Sequence, residues 1–184
     1  MIKYPSWDSF ACKYPNSKEE TFEALCRFLF KEKFHLGDSL PYFKNHPGNE
    51  TNVVKVGDEV IGFQSKFFAN GINVDKILDS MRQARDNHPD QTKYIIYTNK
   101  EFGCLYAKKN TDSKNLKSQG QKRIEQEAQN LNLSLEWMFG DNILDAVSKN
   151  ELAYHIFFDL DSDLLHLPGY LDKLNELNFK SIHD

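Results

Sequence analysis

Glu50, Gln64 and Lys66 have the types and spacing to bind a charged ligand. Gln64 and Lys66 lie two residues apart within the apolar stretch 60–68, and side chains two apart in a strand leave the same face. A lysine on a partly buried face needs a carboxylate or a phosphate as its partner. Glu50, at the entry to the preceding β-rich stretch, is the carboxylate that we assign to this role.

Whether Glu50 shares a face with Lys66 depends on the turn between the two strands. Residues 57–58 are a Gly-Asp pair, which is typical of a tight hairpin turn. With a two-residue turn, Glu50 lies opposite Ser65, on the other face. With a three-residue turn over 57–59, it lies opposite Lys66. A shared site therefore requires an odd-length turn or a bulge.

The surrounding pattern predicts helices and strands in an irregular alternation. Residues 1–16 are expected as an irregular arm, and Ser17 with Glu20 forms a capping box for the next helix. Helices are predicted at 18–33, 74–87, 114–131 and 142–149, the last capped by Asp141, with helical patches at 154–160 and 164–177. Strands are predicted at 52–56, 59–68, 93–98 and 133–139, with a short one at 102–106. This order predicts an α/β sandwich with a small mixed central sheet flanked by helices.

Length and composition are those of one globular domain. The chain has 184 residues, of which 40% are apolar and 27% charged, and its net charge is −4. That charge excludes a general basic field, so nucleic acid would have to bind a local patch. The three cysteines are widely spaced and odd in number, which favours reduced thiols over a disulfide framework. No apolar run reaches the length of a membrane span, and we expect a cytoplasmic protein.

The region 20–98 resembles the core of the P-D-(D/E)-x-K phosphodiesterase superfamily, and most closely its Mrr-like restriction endonuclease branch. The matching features are a helix with Phe22-Glu23-x-Leu25, a hairpin that carries Glu50 and Gln64-Ser65-Lys66, and then a helix and a buried strand. That branch uses Q-x-K in place of E-x-K. This chain departs from the family pattern in having glutamate where aspartate is commonest, without a preceding proline.

The resemblance implies Mg²⁺-dependent hydrolysis of DNA, with Mn²⁺ as a substitute metal. Glu50, Gln64 and the backbone carbonyl of Ser65 would be the metal ligands. Lys66 would orient the nucleophile and stabilise charge on the phosphate. Because Gln64 is neutral, one metal is the better expectation than two. The family also suggests an effector role in restriction or phage defence.

Accessory residues and a DNA-binding surface are further expectations. Glu23 could reach the site through water, and Asp58 is a reserve ligand if the register is shifted. A local excess of positive charge is typical of a phosphate-tracking surface, and a solvated face is an equally good interpretation. Its members are Lys108, Lys109, Lys114, Lys117, Lys122 and Arg123, with Lys44 as a possible extension.

The domain organisation is expected to be a single nuclease-like domain over residues 1–184. Its catalytic core spans about 18–140, and a helical tail spans about 141–184. Apolar residues at helical spacing in the tail are compatible with a homo-oligomer contact or with a connection to further domains of a longer chain. The alternative function is a catalytically impaired module of the same fold that binds nucleic acid or mediates assembly.

Overall fold

The computed structural model describes residues 4–37, 48–103 and 118–159. Ten elements lie in these ranges, six helices and four strands. The helices are α1 (Trp7–Lys13), α2 (Lys18–Phe34), α3 (Val74–Asn87), α4 (Gln119–Asn130), α5 (Gly140–Ser148) and α6 (Glu151–Phe157). The strands are β1 (Val54–Val56), β2 (Glu59–Lys66), β3 (Lys93–Thr98) and β4 (Ser134–Met138).

The four strands form one mixed sheet in the order β1-β2-β3-β4. β1 and β2 pair as an antiparallel hairpin, whereas β2, β3 and β4 run parallel. Because α3 and α4 connect the parallel strands, their N-termini lie at the end of the sheet where β2 and β3 finish. The expected α/β architecture with a small mixed sheet between helices is confirmed.

Each face of the sheet is covered by its own layer of helices. On one face, Phe63 and Tyr97 pack in a buried cluster with residues of α1, α2, α5 and α6. On the other face, Tyr94 and Ile96 pack with residues of α3 and α4. β3 is buried along almost its whole length, as expected for a central strand covered on both sides.

Helix α1 is an element that the sequence pattern did not predict. Residues 1–16 were expected to be irregular, but Ser6 caps a helix over Trp7–Lys13 and forms a capping box with Ser9. The helix is short, and it is held by ring contacts of Trp7 and Phe10 with each other and with Phe67, which directly follows β2, rather than by a long apolar stripe. The stability of α1 therefore comes from tertiary packing of its aromatic residues, which the local sequence pattern does not show.

Other element boundaries differ from the expectations by a few residues. Ser17 precedes α2 but makes no side-chain cap bond, so the predicted capping box is not formed. α4 begins after Ser118, whose side chain caps it, and residues 114–117 of the predicted helix lie outside the described residues. α5 begins at Gly140, ahead of the predicted cap Asp141. Residues 104–106 of the short predicted strand and the patch 164–177 lie outside the described residues.

The packed core extends past residue 140. Ile143 and Val147 of α5, with Ala153 and Ile156 of α6, are buried in the cluster that also holds Phe63 of β2. These two helices thus belong to the sandwich itself. Within the described ranges, no helix is both long enough and apolar enough to cross a membrane.

Glu136 on β4 provides a test of the acid stability of this core. Burial would raise the pKa of its carboxyl group, but ion pairs with Lys33 and Lys93 outweigh burial and hold that pKa below its ordinary value. The stability gained from the lowered pKa is present above about pH 4.3 and is lost as pH falls through the folded-state pKa.

We expect Glu136→Gln to lower the free energy of unfolding at pH 7 by up to about 1 kcal/mol, since Glu136 is partly solvated. The difference from wild type should shrink below pH 4. Urea unfolding at several pH values measures it, and a difference that stays constant from pH 3 to 7 would contradict the assignment.

Candidate active site

The loop that carries Glu50 is fixed against α3 by Gly48. Gly48 has a φ of +85°, and a Cβ atom there would lie 2.2 Å from the backbone nitrogen of Ala84. Its carbonyl oxygen accepts a hydrogen bond of 2.5 Å from the buried Tyr94 hydroxyl. Only glycine combines this backbone conformation with such a close approach to a helix.

Gly62 of β2 makes room for the same loop on the sheet side. A Cβ atom at Gly62 would lie 2.3 Å from Asn49 Oδ1 and 2.6 Å from Gln91 Nε2. The Asn49 amide donates to Gln91 Oε1 at 3.0 Å, and Gln91 Nε2 donates to the Lys93 carbonyl at 2.9 Å. The loop therefore crosses the face that bears Tyr94 and reaches the free edge of β2 at Glu50.

Glu50 binds the edge of β2 at Ser65 with its backbone and its side chain. Its N–H donates to the Phe63 carbonyl at 2.9 Å. Its Oε1 atom accepts one bond from the Ser65 N–H and one from the Ser65 hydroxyl, both at 2.9 Å. The carboxylate therefore lies beside the strand, close to the plane of the sheet, at the point where β1 no longer pairs with β2.

The register of the hairpin is the two-residue alternative. Val56 pairs with Glu59 and Val54 with Ile61, so residues 57–58 form the turn. Gly57 at the first turn position has a φ of +60°, as a type II′ turn requires. A regular continuation of the hairpin would pair Asn52 with Phe63, but the Phe63 carbonyl instead accepts a hydrogen bond from the Glu50 N–H. The strand is thus irregular before Val54, with Glu50 displaced by two residues.

The turn has two residues, and Glu50 is displaced along β2 by two residues. Because both numbers are even, Glu50 stays on the face of the sheet that bears the Ser65 side chain. Gln64 and Lys66 leave the opposite face, in register with Ile96 and Thr98. Glu50 and Lys66 therefore do not form a cross-strand pair, and this hairpin lacks the odd-length turn that a shared face was expected to require. The irregular edge brings the carboxylate near the plane of the sheet, where both faces adjoin it.

The electrostatic neighbours of Glu50 lie on both faces of the sheet. Burial and then the charge of Glu50 raise the pKa of Tyr94 well above its ordinary value. Burial, followed by the charges of Glu50 and Glu23, raises the pKa of the Cys26 thiol, while Arg27 lowers it. Tyr94 belongs to the layer of α3, and Cys26 to the layer of α2.

The donor atoms at this edge fit a hard divalent cation. Both Ser65 bonds are accepted by Glu50 Oε1, and none of the described residues donates a hydrogen bond to Oε2, which leaves its lone pairs for a ligand. The N–H and C=O of one residue in an extended strand point to the same side, so the Ser65 carbonyl also points to this edge. One carboxylate with neutral oxygens suits Mg²⁺, which completes its shell with water and phosphate. No cluster of three His, Cys, Asp or Glu residues that could hold a metal occurs in the described ranges.

Gln64 and Lys66 follow on the face that bears Tyr94. The Gln64 side chain is buried, and its Oε1 atom lies 2.9 Å from the Tyr94 hydroxyl. Lys66, the last residue of β2, is half-buried. Gln64 and Lys66 thus lie two residues apart on one face of β2, next to the edge to which Glu50 binds.

Glu23 is placed at the same end of β2 by the direction of α2. Phe30 stacks on Phe63 at 4.4 Å between ring centroids, and Phe22 contacts Phe67 at 5.6 Å. α2 therefore runs antiparallel to β2, and Glu23 lies near the end that carries Lys66. Glu23 also pairs with Arg27 at 3.7 Å.

Asp58 lies far from the other candidate residues. It lies in the hairpin turn, about 25 Å from Lys66 along an extended strand.

Of the predicted basic surface, Lys122 and Arg123 are exposed on the first turns of α4, where Arg123 pairs with Asp75 of α3 at 3.0 Å. Both lie at the end of the sheet where β2 finishes. Its other members, Lys44, Lys108, Lys109, Lys114 and Lys117, are outside the described residues.

Three contributors to the site were not singled out from the sequence. The sequence pattern gives no role to Gly48 or to the Ser65 side chain, and it predicts Tyr94 only as part of a buried strand. The available signal was Gly48-Asn49 directly before the acidic residue, because such a pair often marks a special backbone conformation. Nothing in the chain pattern indicates that the Tyr94 hydroxyl reaches this loop.

The chain matches no protein-family model and no curated protein sequence.

Proposed function

We propose that the chain is a Mg²⁺-dependent endodeoxyribonuclease of the P-D-(D/E)-x-K type. The observation that carries the proposal is the docking of Glu50 on Ser65 at the irregular edge of β2, with Gln64 and Lys66 on the adjoining face of the same strand. A carboxylate held by a main-chain N–H is pre-organised, because the surrounding strand fixes its position before any ligand binds.

In this proposal, Glu50 Oε2 and the Ser65 carbonyl would hold the cation, and Gln64 would contribute a neutral amide oxygen. Bound Mg²⁺ would polarise the scissile phosphate and lower the pKa of a coordinated water molecule. The Lys66 ammonium group orients the attacking water and offsets the negative charge that develops on the phosphate. Glu23 is an accessory residue that acts through water.

The DNA backbone would approach the end of the sheet where β2 and β3 finish. Lys122 and Arg123 on α4 lie at this end, exposed to solvent. Cationic side chains on a protein of net negative charge bind phosphate locally and give a salt-dependent affinity. The resemblance to restriction endonucleases suggests that such cleavage serves restriction or phage defence.

Replacement of Lys66 tests the proposal. We expect Lys66→Ala to slow Mg²⁺-dependent nicking of supercoiled plasmid by about a hundredfold or more, because a group that stabilises transition-state charge contributes an effect of this size. Lys55→Ala, at an exposed position on β1, is the matched control and should nick at the wild-type rate. EDTA should stop the reaction, and Mn²⁺ should restore it.

Two outcomes would contradict this assignment. If Lys66→Ala nicks plasmid as fast as Lys55→Ala does, Lys66 has no role in the reaction. If the wild-type protein binds DNA in a salt-sensitive way but leaves it uncut in Mg²⁺ and Mn²⁺, the chain is the binding module that is the alternative function.

A further inference from the structure

The Tyr94 hydroxyl joins the two halves of the candidate site. It lies 2.5 Å from the Gly48 carbonyl oxygen, in the loop that carries Glu50, and 2.9 Å from the Gln64 Oε1 atom, on β2. Tyr94 is fully buried, so water does not compete for these positions. A phenolic hydroxyl has one hydrogen to donate and lone pairs with which to accept.

The Gly48 carbonyl oxygen settles where that hydrogen goes. A carbonyl oxygen can only accept, and its distance to the hydroxyl is the shorter of the two. Once the hydrogen is donated to Gly48, the hydroxyl oxygen needs a donor on its other side. An amide oxygen there would place two acceptors 2.9 Å apart with no hydrogen between them, which a buried site does not tolerate.

A half-turn of the Gln64 amide resolves this conflict. The nitrogen and oxygen of a side-chain amide have nearly the same shape, and the hydrogen-bond network decides which way they face. With Nε2 toward Tyr94, the amide donates to the hydroxyl oxygen, so the Tyr94 hydroxyl and the Gly48 carbonyl each have a partner of the right kind. Oε1 then faces away from Tyr94.

We infer that Tyr94 is a positioning residue that selects glutamine at position 64 and turns its amide oxygen toward the ligand. A glutamate carboxylate at this position could not donate to the hydroxyl. Tyr94 would have to give its hydrogen to that carboxylate and leave the buried Gly48 carbonyl without a donor. The Q-x-K form of the motif is in this way coupled to a tyrosine on the next strand. The use of Oε1 as a metal ligand rests on the proposed function, whereas the orientation of the amide does not.

The orientation is tested by NMR of the metal-free protein. The ¹⁵N-labelled side-chain amide of Gln64 is identified as the signal that disappears in Gln64→Glu. We expect one of its two protons to resonate downfield in the wild type and to move upfield in Tyr94→Phe. Tyr97→Phe is the matched control, because Tyr97 is also fully buried on β3 and its hydroxyl has no hydrogen-bond partner among the described residues.

The opposite orientation gives a different result. If the Gln64 amide protons resonate at the same position in the wild type and in Tyr94→Phe, the hydroxyl donates to Oε1 and the inference is wrong. This readout needs neither metal nor DNA, so it decides the orientation even if the protein cuts no substrate.

A second measurement follows the consequence for the site. We expect Tyr94→Phe to raise the Mg²⁺ concentration needed for half-maximal nicking about tenfold, the size typical of groups that orient a metal ligand. Nicking at saturating Mg²⁺ should change less, since Tyr94 touches no reacting atom. Equal Mg²⁺ dependence in Tyr94→Phe and Tyr97→Phe would contradict the positioning role.

Discussion

Glu50→Gln is expected to slow Mg²⁺-dependent nicking of plasmid by about a thousandfold while leaving the protein folded. Glu50 supplies the one carboxylate of the proposed ligand set, and its charge is what concentrates a hard cation at this edge. Because metal polarisation and water activation both depend on that cation, their loss removes several kcal/mol of transition-state stabilisation. A thousandfold loss corresponds to about 4 kcal/mol.

The Glu50→Gln substitution should leave the fold unchanged. A glutamine oxygen at position 50 can still accept from the Ser65 N–H and hydroxyl, as Glu50 Oε1 does. The urea midpoint of Glu50→Gln should therefore stay close to that of the wild type. Asp58→Asn is the matched control, since it removes one negative charge from the hairpin turn at the far end of β2.

The comparison of these two variants separates the candidate sites. A large loss in Glu50→Gln together with wild-type nicking in Asp58→Asn supports the site at Ser65. If Asp58→Asn has the larger effect, the metal is bound at the turn, and the geometry proposed for Glu50 is wrong. If both variants nick normally, the carboxylate that binds the metal lies elsewhere in the chain.

Most of the fold could be predicted from the sequence because its elements have strong local patterns. α2, α3 and β3 follow the apolar spacing that defines an amphipathic helix or a buried strand, and their bounds agree with the structure within a residue or so. α1 could not be predicted in this way. Its stability comes from Trp7 and Phe10 in contact with residues far along the chain, such as Phe158.

The candidate site was harder to predict because it depends on an irregular edge. Counting residues from the turn assumes that the two strands pair regularly. For the two-residue turn that the structure has, this count places Glu50 opposite Ser65. The sequence does not show that pairing breaks down before Val54, nor that Glu50 then binds the backbone of Ser65. Such edge geometry is set by the close packing of Gly48 and Gly62, which is a tertiary effect.

Gly48→Ala is expected to be the most destabilising single-methyl change in this region. The φ of +85° strains any residue with a Cβ atom, at a cost of about 1–2 kcal/mol. The added atom would also lie 2.2 Å from the backbone nitrogen of Ala84 and 2.7 Å from the carbonyl oxygen of Ser80. Backbone atoms of a packed helix cannot move aside as a side chain can, so overpacking adds about 1–3 kcal/mol.

The expected loss in the free energy of unfolding is therefore roughly 2–5 kcal/mol, a large fraction of the stability of a typical domain. Urea unfolding followed by circular dichroism measures it. Gly57→Ala is the matched control. Gly57 has a φ of +60°, but no atom lies within 4 Å of the position of its Cβ, so only the conformational cost of about 1–2 kcal/mol applies.

The difference between the two variants isolates the contact of the loop with α3. If Gly48→Ala loses clearly more stability than Gly57→Ala, the loop before Glu50 is pinned by packing against Ala84. Equal losses would show that the loop moves away from α3 freely and that its position does not depend on this contact. The carboxylate would then lack the rigid support that the proposed metal site requires, because a ligand on a mobile loop is not held in place for a cation.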